Sequence, residues 1–157
     1  MTTCPEWITG LRAGWYRFHQ LDVQQLYDLL RLRVDVFVVE QRCPYPELDG
    51  QDAHAWHGLW YDGDRLAGCV RLLPPGPRFD GPSIGRIAAS APVRGRGLGH
   101  AMMVQALQQV AALWPQQPVW LAAQAHLQDF YAAHGFQPRG EVYDEDGIDH
   151  IDMCRPA

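Results

Sequence analysis

Three closely spaced glycines in the string Arg94-Gly95-Arg96-Gly97-Leu98-Gly99 constrain this chain more than any other feature. An apolar, extended run from Ile84 to Ser90 precedes them, followed by Ala91-Pro92. After them Met103, Ala106, Leu107, Val110 and Leu113 recur at helical spacing until Pro115 stops the pattern. A strand is therefore expected to feed a helix through a turn whose backbone can bend sharply and approach a ligand closely. At such a junction several peptide N–H groups and the positive end of the helix face the same point, and Arg94 and Arg96 add charge. The arrangement suits a diphosphate; a turn required only for chain geometry would use the same glycines.

Two familiar phosphate sites are excluded. The string lacks the Lys and Ser/Thr of a P-loop, and no acidic residue stands about twenty positions on, at a second strand end, as a dinucleotide fold requires. Among common diphosphate ligands coenzyme A remains.

The rest of the chain supports an α/β (α+β) architecture. A strand near Trp15 to Phe18 leads to Asp22, a predicted N-cap, and Leu26, Leu29, Leu30, Val34 and Phe37 then follow a helical period. Pro44, Pro46 and Gly50 make the segment from Gln41 to Asp52 irregular. Strands are predicted from Trp56 to Tyr61 and Leu66 to Leu73, joined by the hairpin signal Asp62-Gly63-Asp64. Beyond the glycine turn and its helix come a strand from Val119 to Ala123, a short helix from His126 to His134 closed by Gly135, and two strands flanking Asp144-Glu145-Asp146-Gly147. The order β-α-β-β-β-α-β-α-β-β implies a mixed central sheet of six to seven strands with helices on both faces.

With 157 residues, 47% hydrophobic and 20% charged, residues 1–157 are expected to form a single domain. The formal net charge of −5 argues against a nucleic-acid or anionic-membrane footprint. All 13 basic residues are Arg, and neither Lys nor Asn occurs. That removes Schiff-base lysine chemistry and N-glycosylation, and it suggests GC-rich coding and a bacterial source. Cys4, Cys43, Cys69 and Cys154 form no C-x-x-C pair, no secretory signal precedes them, and every apolar run falls short of the roughly 18 residues a spanning helix needs. A cytoplasmic protein with reduced thiols is expected. No metal is expected: His54 and His57 point to opposite faces of a strand, and His126 and His134 stand two helical turns apart.

Arg94-x-x-Gly97-x-Gly99 at its strand-to-helix junction resembles the pyrophosphate motif of the GNAT acyltransferases, and Phe130-Tyr131-x-x-x-Gly135-Phe136 resembles their second signature. The strings VFVVEQ, CPYPELDGQD, IGRI, QAHLQDFYAAHGF and EVYDEDGIDHI are similar to the ElaA-like branch. The resemblance implies a GNAT fold in which the strand at Ile84–Ser90 splays from that at Val119–Ala123, opening a slot for pantetheine. It implies that amides of Arg94, Gly95, Arg96, Gly97, Leu98 and Gly99 hold the pyrophosphate of acetyl-CoA, and that a main-chain N–H at Ile87 or Ala88 faces the thioester carbonyl as an oxyanion donor. The function implied is N-acetyl transfer, or transfer of another short acyl group, by direct attack of an amine. By analogy the family also allows a homodimer through sheet edges. A catalytically silent acyl-CoA-binding module and an acyl-homoserine-lactone synthase-like acyltransferase are the alternatives.

Direct transfer needs a neutral amine, a donor for the acyl oxygen and a proton for the departing thiolate. By resemblance Tyr131 supplies that proton; read alone, it would equally be a core aromatic. Where many GNAT enzymes carry a strand glutamate, this chain has Arg86. The base is therefore sought at His57, which shares a strand face with Leu59 and Tyr61, with Glu145, Asp146 and His150 of the last hairpin ranked behind it. His57 could also be a structural histidine, and the hairpin carboxylates merely solvated. Glu40, Gln41, Tyr45, Glu47 and Asp49 lie where the family places its acceptor-side helix and loop, so the resemblance implies that they bind a cationic amine; read alone, they would equally serve as capping and turn residues of a Pro-rich loop. Arg86 would either bind a substrate carboxylate or pair internally with Glu141 or Asp49.

Overall fold

The computed structural model describes residues 3–157. Seven strands form one sheet: β1 (Arg12–Arg17), β2 (Trp56–Asp62), β3 (Arg65–Leu73), β4 (Ser83–Ala89), β5 (Val119–Gln124), β6 (Gln137–Glu145) and β7 (Ile148–Arg155), in the order β1-β2-β3-β4-β5-β7-β6. Four helices accompany them: α1 (Glu6–Thr9), α2 (Val23–Val34), α3 (Leu98–Leu113) and α4 (Gln128–Ala132). The predicted element order is reproduced, with α1 added in front.

Asp22 caps α2 as expected. Its carboxylate accepts from the Gln25 amide at 2.7 Å while the Gln25 side chain accepts from the Asp22 amide at 3.0 Å, a reciprocal capping box. The helical pattern that the sequence carries to Phe37 does not remain an α-helix. From Asp35 to Glu40 the chain widens into a π-helical turn, so Phe37 and Glu40 are presented at a different angle from the α-helical residues before them.

The apolar alternation of β2 and β3 divides the core between two faces. Leu59, Tyr61, Cys69 and Ala88 pack with Leu29 and Leu32 of α2. Trp60, Val70, Leu72 and Ile84 pack with Met102, Met103, Ala106 and Val110 of α3. At Gly68 an added Cβ would come within 2.5 Å of Met102 Sδ, so α3 lies close against β3 there.

All neighbouring strands are antiparallel except β4 and β5. These two run parallel and meet at one registered pair, Ser83 with Trp120. Beyond it they diverge, leaving main-chain groups of both strands without a strand partner on that side, in the middle of the sheet. The splayed pair expected from the sequence is present.

Candidate active site

The divergence of β4 and β5 opens a cleft of about 1030 Å³. Its walls include Ile87, Ala88 and Arg94 on one side and Leu121, Gln124 and Tyr131 on the other. Glu40, Asp49, Arg86, Glu145 and His150 line it as well, so residues scattered over more than a hundred positions meet in one cleft.

At one end of the cleft lies the glycine turn. Gly95 (φ +72°) and Gly97 (φ +90°) occupy left-handed conformations, and Gly97 is the N-cap of α3. No side chain caps that helix. The Arg94 amide, expected in the cradle, instead donates to the Ala91 carbonyl at 3.3 Å and closes the turn before it, whereas the amides of Gly95 through His100 donate to no acceptor among the described residues. A 16-residue helix with its first donors left open is a ready anion cradle, which fits a coenzyme diphosphate. The side chains of this turn behave differently. Leu98 is buried in the core, and the Arg96 guanidinium lies 4.0 Å from the Trp7 ring centroid while the Trp7 indole donates to the Arg96 carbonyl at 3.2 Å. Arg94 is held by Glu40 at 2.5 Å and donates to the Ala89 carbonyl at 2.9 Å. Glu40, expected to bind substrate, thus faces a cation of the turn instead.

Tyr131 lines the cleft from α4, its ring packed edge-on against Phe130 and Phe136. Burial pushes its phenol up to about 12. Its hydroxyl makes no hydrogen bond within the described residues.

The structure corrects the assignment of His57. The side chain is 0% exposed, on the α2 side of the sheet and outside the cleft lining. Its Nε2 donates to the Asp52 carbonyl at 2.9 Å, leaving Nδ1 buried without a partner. Burial pushes the imidazole below its ordinary value, so the ring is a neutral structural group sealed from any amine in the cleft.

What surrounds His57 is an ionic network of which the sequence reading anticipated only the pairing of Arg86 with Asp49. Arg33 of α2 is 0% exposed and binds Glu47 and Asp52, each at 2.7 Å. Arg71 of β3 binds Asp49 at 2.8 Å and Asp52 at 3.1 Å. Arg86 binds Glu47 at 2.8 Å and reaches Asp49 at 3.4 Å. Tyr45 donates its hydroxyl to Glu47 as well. Burial alone would raise the Asp49 carboxyl, but the Arg71 bonds and neighbouring charges hold it down to about 2. Three guanidinium groups face three carboxylates, so Arg86 and Asp49 are matched internally rather than free for substrate. The detectable signal was a charged residue inside each of two apolar patterns, Arg33 in LLRLRV and Arg71 in CVRLL.

Arg86 also has unusual backbone geometry. Its φ is +50°, a left-handed conformation that costs a non-glycine residue about 1–2 kcal/mol, and the β3–β4 register slips between Cys69 and Arg71 opposite it. This is a β-bulge, and the Cys69 thiol points at the Arg86 carbonyl from 3.5 Å. At the far side, the His150 Nδ1 donates to the Ile148 carbonyl at 2.8 Å and its Nε2 stands 3.5 Å from Glu145. Among the described residues no cluster of His, Cys, Asp or Glu has metal-binding geometry, and no helix is long and apolar enough to cross a membrane.

A mixed sheet parted between two parallel strands, with an open-ended helix beside the gap, defines a GNAT-type acyltransferase fold. The chain belongs to the acetyltransferase (GNAT) domain family, which it matches over residues 30–155. It is 45% identical over 145 residues to the protein ElaA of Escherichia coli (strain K12), spanning 90% of this chain and 95% of that protein. A crystal structure of an acyl-CoA N-acyltransferase from Pseudomonas aeruginosa is similar with TM-score 0.88 and 44% identity, covering 92% of this chain and 99% of the other. The acyl-homoserine-lactone synthase LasI shares the fold at TM-score 0.72 but only 16% identity, covering 92% of this chain and 88% of LasI.

Proposed function

We propose that the protein transfers a short acyl group, acetyl in the first instance, from acyl-CoA to an amine by direct attack, acting as a single catalytic domain of the cytoplasm. The observation that carries this reading is the combination of a parted β4–β5 pair with unpartnered amides at the N-terminus of α3. Acyl-CoA supplies an acyl thioester activated toward a neutral amine. The amides of Gly95 through Gly99 bind its diphosphate. The N–H at Ile87 or Ala88, just past the bulge, orients the acyl oxygen. Tyr131 keeps its proton across the physiological range and gives it to the departing thiolate, which leaves as the coenzyme A thiol. With His57 sealed away, Glu145 and His150 at the cleft mouth take the amine's proton directly or through water. The acceptor is a small-molecule or peptide amine, and a homodimer through sheet edges belongs to the same reading.

Calorimetry tests the cradle. Acetyl-CoA should bind the wild type and raise its melting temperature, because a ligand of the native state stabilises it. Gly97→Glu and Gly99→Glu add a negative charge and a bulky side chain to the turn whose amides would hold the diphosphate, and should abolish both effects. An undiminished heat of binding in these variants would remove the cradle from the mechanism. Coenzyme A release across an amine panel, with mass analysis of products, then identifies the acceptor.

A further inference from the structure

We infer that Glu47 and Arg86 act as positioning residues for the acyl oxygen, clamping the β4 bulge to the acceptor loop so that the peptide N–H beyond the bulge points into the cleft. This rests on the proposed acyl-CoA function. Arg86 adopts φ +50° without being glycine, so something must hold the chain in a conformation it would otherwise leave. The structure contains that restraint. Glu47 is 3% exposed and comes from the irregular segment between α2 and β2. One of its oxygens accepts from Arg33 Nε at 2.7 Å and from Arg86 Nε at 2.9 Å. The other accepts from the Tyr45 hydroxyl and lies 2.8 Å from Arg86 Nε. Arg86 Nη2 donates to the Glu47 carbonyl at 3.3 Å, and its guanidinium lies 5.9 Å from the Tyr45 ring centroid.

The bulged residue is therefore gripped at both ends. Its carbonyl meets the Cys69 thiol of β3, and its side chain is fixed to a carboxylate that Arg33 anchors to α2. Ile87, the next residue, lines the cleft, so the clamp determines where the amides leaving the bulge are aimed. Such a role differs from substrate binding, because Arg86 presents a neutralised fork rather than a free cation. It also gives a sequence that lacks the usual strand glutamate a use for arginine at that position.

The test separates binding of the coenzyme from recognition of its acyl group. Arg86→Met removes the fork but leaves Glu47 bound to Arg33 and Tyr45, so the ionic core keeps its other contacts. Glu47→Gln is the second variant. Dissociation constants for coenzyme A and acetyl-CoA, and the infrared carbonyl band of bound carbonyl-¹³C acetyl-CoA, are measured for wild type and both variants. In the wild type the carbonyl band should lie below its position in water, as expected for a fixed donor. In the variants coenzyme A affinity should stay within about twofold, while acetyl-CoA loses about fivefold, the worth of one hydrogen bond, and the band returns toward its solution position. An unchanged band and unchanged affinity ratio in a folded variant overturn the clamp. Wild-type protein that binds neither ligand overturns the acyl-CoA reading and the clamp with it, a result distinct from loss of the acyl preference alone.

Discussion

His57 and Tyr131 are both buried titratable rings, and burial moves them in opposite directions with different consequences. For His57 the folded value lies below the ordinary one of about 6.5, so its contribution to stability is present above that pH and is lost as pH falls through the depressed value. The unfolding midpoint should therefore drop as pH falls below about 6.5, and His57→Gln should flatten that dependence in chemical denaturation. Some slope will remain, because burial also lowers His134. The pH–rate profile should keep its neutral limb in the same variant, since the ring lies outside the cleft. Tyr131 is neutral until about 12, so Tyr131→Phe should cut the transfer rate by about 100-fold at neutral pH with acetyl-CoA affinity nearly unchanged. Equal rates would exclude Tyr131 as the proton donor, whereas acetyl-CoA binding with no transfer by the wild type would mark a silent acyl-CoA-binding module. The place of Tyr131 in the cleft wall was legible because its signature string is local. His57 was misread because alternation along β2 shows which residues share a face, and not which face opens to solvent.

Among the elements, the α3 junction carries the most information per residue. Gly97 sits at φ +90°, and a Cβ added there would meet only Pro5 and Ile8, at 3.6 Å and beyond. The requirement for glycine there is thus conformational rather than steric. Gly97→Ala should cost about 1–2 kcal/mol in urea denaturation with an unaltered slope, while leaving the amides of the cradle in place. Gly97→Glu would differ from it chiefly in coenzyme binding, so the pair divides backbone strain from charge. Elements such as α2, β2, β3 and α3 were readable because their signals are periodic or punctuated: Asp22 ahead of the α2 period, Asp62-Gly63-Asp64, and Pro115 beyond Leu113. α1 escaped because four residues cannot display a period. The π-turn at Asp35–Glu40 escaped because it keeps the same apolar residues and changes only the angle at which they are presented.

Across the whole molecule, the parted sheet creates a structural problem that the ionic network resolves. A gap between β4 and β5 weakens the sheet at its centre, and the cleft's outer wall is an irregular segment with little hydrogen-bonded structure of its own. Arg33, Arg71 and Arg86 tie Glu47, Asp49 and Asp52 of that segment to α2, β3 and β4. These partners are 14 to 39 positions apart, which is why no local pattern announced them. Arg33→Met would leave Glu47 and Asp52 short of their deepest partner, at a cost of about 3–5 kcal/mol, a large fraction of the roughly 5–15 kcal/mol that holds a domain together. Arg78→Gln, at a half-exposed ion pair with Glu145, should cost less than about 1 kcal/mol. Acid separates the network from the rest of the fold. Asp49 is held down to about 2 and Asp52 is lowered, so their contribution is complete above the ordinary carboxylate value of about 3.9 and disappears as pH falls toward 2. Amide exchange followed from about pH 5 down to about pH 2.5, corrected for the intrinsic rate, should show residues 41–55 opening before β2 and β3. Simultaneous loss of protection in segment and sheet would mean that the wall is held by the apolar core rather than by its charges.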